Sequence, residues 1–191
     1  WYDVSMSNTA LSTSVSTYGT GSITTSMVNI FNTFDLGSKV LELTSSSEPL
    51  KIFSGSLIAS SSTIRYSGAS NTTITPATYY NLELSPTSGT PTYTLGTTTG
   101  QTLTVNNNLT LAGTGTVTVD ADTQDPIVNV NGNMTVGSGD TFQTSNMSTA
   151  SISGDMSVSG TLSGSGNVVV QGGDATGNGT INLTGGNFTL D

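Results

Sequence analysis

Apolar residues recur along this chain at every second position, mostly as pairs separated by one small polar residue. Such alternation predicts β-strands that bury one face, with the intervening Ser and Thr on the solvated face. Gly, Asn, Asp and Ser lie between the pairs, where tight corners require unusual backbone conformations. No window carries a helical spacing of useful length, so the chain is predicted to be all-β. The pairs are Leu41/Leu43, Leu82/Leu84, Leu103/Val105, Leu109/Leu111, Val117/Val119, Val128/Val130, Met134/Val136, Met156/Val158, Val168/Val170, Ile181/Leu183 and Phe188/Leu190.

A seven-residue pattern occurs three times, as residues 105–111, 130–136 and 152–158. Each copy is an apolar residue, a short polar corner and an apolar-polar-apolar step. Leu109 and Met134 are 25 residues apart, and Met134 and Met156 are 22 apart. A period in this range is typical of a solenoid, in which neighbouring repeats bury one another. We therefore predict a parallel β-helix with about three short strands per rung; the alternative is an antiparallel β-sandwich.

The repeat also predicts which polar residues stack at one corner of the solenoid. One column contains Asn106, Asn131 and Ser153, and a second contains Asn108, Asn133 and Asp155. Asparagine ladders of this kind satisfy one another's amides along the axis. The longer segments 120–126 and 171–179 are predicted to be loops that leave the rod between strands.

The first half of the chain is less regular. Residues 53–59 form a weaker copy of the corner pattern, 52 residues before the copy that contains Leu109. Residues 1–19 do not fit the repeat and are predicted to be an extended segment or cap, with the β-helix domain covering 20–191. Tyr2, Val4 and Met6 alternate there, and we expect them to form a strand that is donated to a neighbouring subunit.

The segments Thr63–Gly68, Asn71–Ile74, Thr78–Leu84, Tyr93–Gly96 and Leu103–Leu111 resemble the repeats of large bacterial and environmental surface proteins. Those repeats are of the filamentous-haemagglutinin and autotransporter type. The resemblance covers roughly residues 35–191. It implies a right-handed parallel β-helix on, or shed from, a cell surface, and it carries over no catalytic residues.

Composition restricts the classes of partner. The only basic residues are Lys39, Lys51 and Arg65; twelve acidic residues give a net charge of −9. Nucleic acid is excluded as a partner, because binding to its phosphates requires clustered basic residues. For the same reason we do not expect binding to an anionic membrane surface. No apolar run is long enough to span a bilayer, so we expect no membrane insertion.

Low charge, the absence of cysteine and abundant Ser and Thr predict a secreted protein that is extracellular or on the cell surface. The chain begins at Trp1, which fits a processed product whose targeting segment has been removed. Seven Asn-x-Ser/Thr sequons are candidate glycosylation sites. Their asparagines are Asn71, Asn108, Asn133, Asn146, Asn178, Asn182 and Asn187.

Candidate chemistry is sparse. The chain has no histidine and no cysteine, which removes the usual general base, zinc ligands and thiolate nucleophile. Asp120, Asp122 and Asp125 form the densest acidic group. They are expected to lie on a solvated acidic loop, and the alternative is that they are ligands for calcium. We expect no enzymatic activity and no catalytic residues.

We therefore expect a structural subunit that assembles end to end, with copies of itself, into an extracellular filament or surface fibre. A second hypothesis is a cell-surface adhesin that binds glycans through a shallow outer groove. A third is an enzyme that degrades an acidic polysaccharide. This last function requires Arg65 and acidic side chains to converge in one cleft.

Overall fold

The computed structural model describes residues 9–11, 15–16 and 22–191 of the chain. These residues form 26 short β-strands and no helix. The strands are β1 (Thr9–Leu11), β2 (Val15–Ser16), β3 (Ser22–Thr25), β4 (Val28–Ile30), β5 (Thr33–Asp35), β6 (Val40–Leu43), β7 (Leu50–Ile52), β8 (Ser56–Ile58), β9 (Thr63–Tyr66), β10 (Thr72–Ile74), β11 (Thr78–Tyr79), β12 (Asn81–Leu84), β13 (Thr92–Leu95), β14 (Thr102–Val105), β15 (Leu109–Leu111), β16 (Thr118–Asp120), β17 (Ile127–Val130), β18 (Met134–Val136), β19 (Thr141–Thr144), β20 (Thr149–Ile152), β21 (Met156–Val158), β22 (Thr161–Gly164), β23 (Asn167–Val170), β24 (Ala175–Thr176), β25 (Thr180–Leu183) and β26 (Phe188–Leu190).

The strands stack in parallel as a β-solenoid with about three strands in each rung, as the sequence predicts. Every strand pair among the described residues is parallel, which excludes the antiparallel sandwich. Sheet 1 runs the length of the rod and contains β3, β6, β9, β12, β15, β18, β21 and β24. Sheet 2 contains every third strand from β10 to β25, and sheet 3 every third strand from β11 to β26. Sheet 4 (β1, β4 and β7) and sheet 5 (β2, β5 and β8) complete the first rungs.

The predicted pairs of apolar residues form the interior. In sheet 1, Leu82, Leu109, Met134 and Met156 follow one another in register, and each is at most 1% exposed. The residue between the two members of each pair faces outward, because successive side chains of a strand point to opposite faces. Inward side chains at equivalent strand positions thus form columns along the rod, and these columns make a continuous narrow core. Such a core needs few apolar residues, which explains how a chain of so polar a composition folds.

The cross-section of the rod changes between residues 44 and 80. Sheet 1 is unbroken there, because β9 pairs with both β6 and β12. Sheets 4 and 5 end at β7 and β8, and sheets 2 and 3 begin at β10 and β11. On that side, an isolated bridge between Ser47 and Thr72 and a hydrogen bond from the Thr75 hydroxyl to the Leu50 carbonyl link the two stacks. We call this region the junction.

Two predictions from the sequence need correction. Residues 53–59 are not equivalent to the corner that contains Leu109, because Leu57 pairs with Phe34 in sheet 5 whereas Leu109 lies in sheet 1. The segment 171–179 is not wholly a loop, since it contains β24, which pairs with β21. That strand has only two residues and no period-two apolar pair, so the sequence pattern does not reveal it.

Candidate functional site

The predicted polar columns form at the corner that leads into sheet 1. Leu109 pairs with Met134 and Met134 with Met156, which places the preceding residues Asn108, Asn133 and Asp155 in one column. The register of β14, β17 and β20 likewise aligns Asn106, Asn131 and Ser153. Both columns predicted from the sequence are confirmed.

The hydrogen bonds of the first column join side chains to the backbone of the next rung. Oδ1 of Asn108 accepts from the backbone N–H of Asn133 at 3.2 Å, and Oδ1 of Asn133 accepts from that of Asp155 at 2.9 Å. Oδ1 of Asp155 then accepts from the N–H of Asp174 at 3.0 Å. At the other end, Oδ1 of Asn81 accepts from the N–H of Asn108 at 3.3 Å. We call these five residues the corner ladder.

The corner ladder differs from the expected chain of amide–amide bonds. Such a bond is present in the second column, where Nδ2 of Asn131 donates to Oδ1 of Asn106 at 3.2 Å. In the corner ladder an acceptor oxygen suffices, which explains why Asp155 can replace asparagine. Sequence reasoning missed the two ends, Asn81 and Asp174. A polar residue directly before a core position is the sequence signal for a member of the ladder. Asp174 was missed because Ala175, which pairs with Met156, is too small to be recognised as a core position.

Among the described residues, β24, β25 and β26 form the outermost rung of sheets 1, 2 and 3. Each of these strands pairs on one side only, with β21, β22 and β23 respectively. Ile181 is 48% exposed and Leu190 is 57% exposed, although their counterparts one rung earlier, Leu162 and Val170, are fully buried. The carboxylate of Asp174 lies at the same end and has no partner among the described residues. This end presents apolar side chains, unpaired strand edges and a hydrogen-bond acceptor.

The predicted assembly residues Tyr2, Val4 and Met6 lie outside the described residues. Within the segment 1–19, β1 pairs with β4 and β2 pairs with β5. Residues 9–11 and 15–16 thus belong to the first rung of the rod.

The structure gives two of the three calcium candidates, Asp120 and Asp125, separate hydrogen-bond partners. Oδ1 of Asp120 accepts from the backbone N–H groups of Asp122 and Thr123 at 2.8 and 3.0 Å, which closes a tight turn. Asp125 instead accepts a hydrogen bond from the Ser145 hydroxyl. In the described part of the chain, no group of three or more carboxylates lies close enough to hold a metal ion. Calcium binding therefore stays a prediction without support from the arrangement of the carboxylates.

The seven sequons differ in accessibility. Asn108 is half-buried in the corner ladder, and Asn133 is exposed but uses its Oδ1 there. The other five asparagines are exposed. Their modification stays a prediction. They are Asn71, Asn146, Asn178, Asn182 and Asn187.

Aromatic residues lie both in the interior and on the surface of the rod. Tyr79 is fully buried in the interior. Phe31 and Phe53 follow the paired residues Ile30 and Ile52, and their rings stack with centroids 4.6 Å apart. They are 41% and 59% exposed. Sequence reasoning missed this pair, although the repeated Ile-Phe step 22 residues apart was a signal for it.

The described residues contain no helix long and apolar enough to cross a membrane. Comparisons with protein-family models, curated proteins and solved structures give no match. The resemblance to surface-protein repeats of the filamentous-haemagglutinin type therefore stays a prediction.

Proposed function

We propose that this protein is a structural subunit of an extracellular filament or surface fibre, in which copies of the chain stack end to end. The observation that carries the proposal is the repeating register of sheet 1, in which successive rungs present the same strand edge and the same kind of corner acceptor to the rung that follows. Unpaired strand edges template pairing with further strands. Apolar side chains that one rung leaves exposed gain free energy when a second rung covers them.

Sheet 1 supplies the continuous element across the proposed joint. Its last strand, β24, has an open edge, and its first strand, β3, pairs only with β6 among the described strands. The internal junction offers a precedent, because sheet 1 alone continues there while the other sheets change. A β24–β3 pairing between two copies would repeat that arrangement.

The corner ladder supplies a specific contact for this joint. In sheet 1, Asn81 is aligned with Thr63, Thr63 with Val40, and Val40 with Ser22. In a head-to-tail stack, Ser22 of the next copy occupies the position that follows Asp174. The backbone N–H of Ser22 then donates to the Asp174 carboxylate, as the N–H of Asp174 donates to Asp155 within one chain.

Charge favours the head-to-tail arrangement over the pairing of two like ends. All three basic residues lie between positions 39 and 65, whereas eight acidic residues and no basic ones follow Arg65. Two acidic C-terminal halves repel each other when they approach. A heterologous contact that does not close on itself produces an extended fibre.

The remaining proposals rest on composition and exposure. An extracellular location is supported by the absence of cysteine, the low content of charged residues and the exposed sequons. The proposed partner is a further copy of the chain, and the proposed role is mechanical rather than enzymatic.

Substitutions at Asp174 test the joint. The 191-residue chain is expected to form concentration-dependent filaments, measured by sedimentation velocity and negative-stain electron microscopy. Asp174→Asn and Asp174→Ala remove the same charge, but only Ala removes the acceptor. One hydrogen bond contributes about 1 kcal/mol, so we expect Ala to raise the critical concentration about fivefold relative to Asn.

A second pair of variants tests the apolar end face. Ile181→Lys places a charge on the outermost rung, and Ile127→Lys places one at a similarly exposed position on the flank of the rod. We expect only Ile181→Lys to abolish filaments. Deleting residues 1–8 measures how much Tyr2, Val4 and Met6 contribute to filament assembly. A chain that stays monomeric at every concentration, or equal effects of the two lysines, contradicts the proposal.

A further inference from the structure

A groove of about 500 Å³ lies on the outer face of sheet 1, away from both ends of the rod. Its floor is a column of four residues in register, Glu42 on β6, Arg65 on β9, Glu83 on β12 and Thr110 on β15. Neighbouring strands are about 4.8 Å apart, so the column spans about 14 Å. Pro86 belongs to one wall of the groove. The volume is in the usual range for ligand sites.

The charged side chains in the groove are only partly satisfied. Nε of Arg65 donates to Oε2 of Glu83 at 2.6 Å, which holds the guanidinium in place. Among the described residues, the terminal nitrogens of Arg65 and the carboxylate of Glu42 have no partner. Both charged partners remain about a third exposed. The groove therefore offers fixed donors beside a free acceptor.

Ser67 supplies a second and independent indication of a ligand. It lines the groove two residues after Arg65 and is only 3% exposed, yet its hydroxyl has no hydrogen-bond partner. An unpaired buried hydroxyl costs about 1 to 3 kcal/mol. Its backbone carbonyl is held by the N–H and hydroxyl of Thr87 at 3.2 and 3.3 Å. The hydroxyl oxygen is itself buried, so a polar ligand in the groove would pair with it after the Ser67 side chain rotates toward the groove.

We infer that this groove binds a neutral, hydroxyl-rich saccharide along the side of the rod. Two carboxylates and one guanidinium give the groove a local excess of negative charge, on a chain whose net charge is −9. That charge repels acidic polysaccharides, and Arg65 between the carboxylates opposes a metal ion. Sugar hydroxyls both donate and accept, so they match Glu42, Ser67 and the guanidinium together. The inference concerns the flank and is independent of end-to-end stacking.

Isothermal titration calorimetry of the 191-residue chain with defined oligosaccharides tests the inference. The probes are neutral hexasaccharides of glucose, mannose or xylose, with hexagalacturonate as the anionic probe. We expect at least one neutral probe to bind with a Kd of about 1 mM or tighter. Arg65→Gln and Ser67→Ala should each weaken this binding about tenfold. Lys51→Gln, which removes a cation outside the groove, should change it less than about twofold.

Thermal unfolding separates a binding role of Ser67 from a structural one. Because alanine removes an unpaired buried hydroxyl, Ser67→Ala should leave Tm unchanged or raise it while affinity falls. The inference is overturned if no neutral probe binds, if hexagalacturonate binds more tightly than every neutral probe, or if Ser67→Ala keeps full affinity.

Discussion

Three buried tyrosines near the junction should make the protein sensitive to alkaline pH. Tyr66, Tyr79 and Tyr93 are fully buried. The hydroxyls of Tyr66 and Tyr79 are 3.3 Å apart, and the hydroxyl of Tyr93 donates to the carbonyl of Gly68. Burial raises the pKa of each phenol above its ordinary value, because a phenolate loses its hydration inside the rod.

The sign and size of the effect follow from proton linkage. A raised pKa in the folded state means that the unfolded chain loses its protons first, so stability is constant at low pH and falls as pH rises past the ordinary tyrosine pKa of 10.0. At pH 11, each tyrosine that stays protonated in the folded state lowers the unfolding free energy by about 1 to 2 kcal/mol. The three together cost about 4 kcal/mol, a large share of the stability of a typical domain.

Urea unfolding between pH 8 and pH 11, followed by circular dichroism, measures this slope. Absorbance at 295 nm reports when the phenols ionise, and we expect the buried ones to ionise together with unfolding. Tyr93→Phe should reduce the alkaline slope by about one third. At pH 8 the same variant should cost about 1 to 3 kcal/mol, because the Gly68 carbonyl loses its partner.

The reasoning is refuted if the folded protein ionises all its tyrosines near pH 10 without unfolding. It is also refuted if the slope above pH 10 corresponds to less than one proton, or if Tyr93→Phe leaves that slope unchanged.

Two further predictions concern the core and the corner ladder. Met134→Ala should lower the unfolding free energy by about 2 to 5 kcal/mol, because Met134 is 1% exposed; Met147→Ala, at a position 74% exposed, should change it by less than about 0.5 kcal/mol. Urea unfolding at pH 7 compares the two, and equal effects would contradict the assigned core. Asn133→Ala should lower the unfolding free energy by about 1 kcal/mol, because the N–H of Asp155 loses its acceptor. Asn131→Ala should lower it less, because this substitution breaks only an exposed hydrogen bond between two side chains. A larger loss for Asn131→Ala would contradict the importance of backbone acceptors in the ladder.

The second half of the fold could be predicted because its local signals agree. From Leu103 onward each apolar pair marks a strand, each polar triplet marks a corner, and the spacing fixes the register. An error of one residue in register would move every inward side chain to the outer face. Such a pattern therefore permits only one stacking of rungs, and the corner ladder follows from it.

The junction could not be predicted, because residues 44–80 have no regular period. Val40 to Thr63 spans 23 residues and Thr63 to Asn81 spans 18, so a fixed repeat aligns the wrong positions. Leu57 illustrates the error, since its local pattern matches a corner of sheet 1 although it lies in sheet 5. Three large tyrosines fill the interior near this point, and the packing of such side chains is a tertiary property that strand periodicity does not encode.

The sequence alone therefore shows which side chains point inward and which point outward, because successive side chains of a strand point to opposite faces. Which outward residues become neighbours depends on how many residues each rung contains. Glu42, Arg65 and Glu83 are far apart in sequence, and only the stacking of β6, β9 and β12 brings them into one groove beside the buried hydroxyl of Ser67.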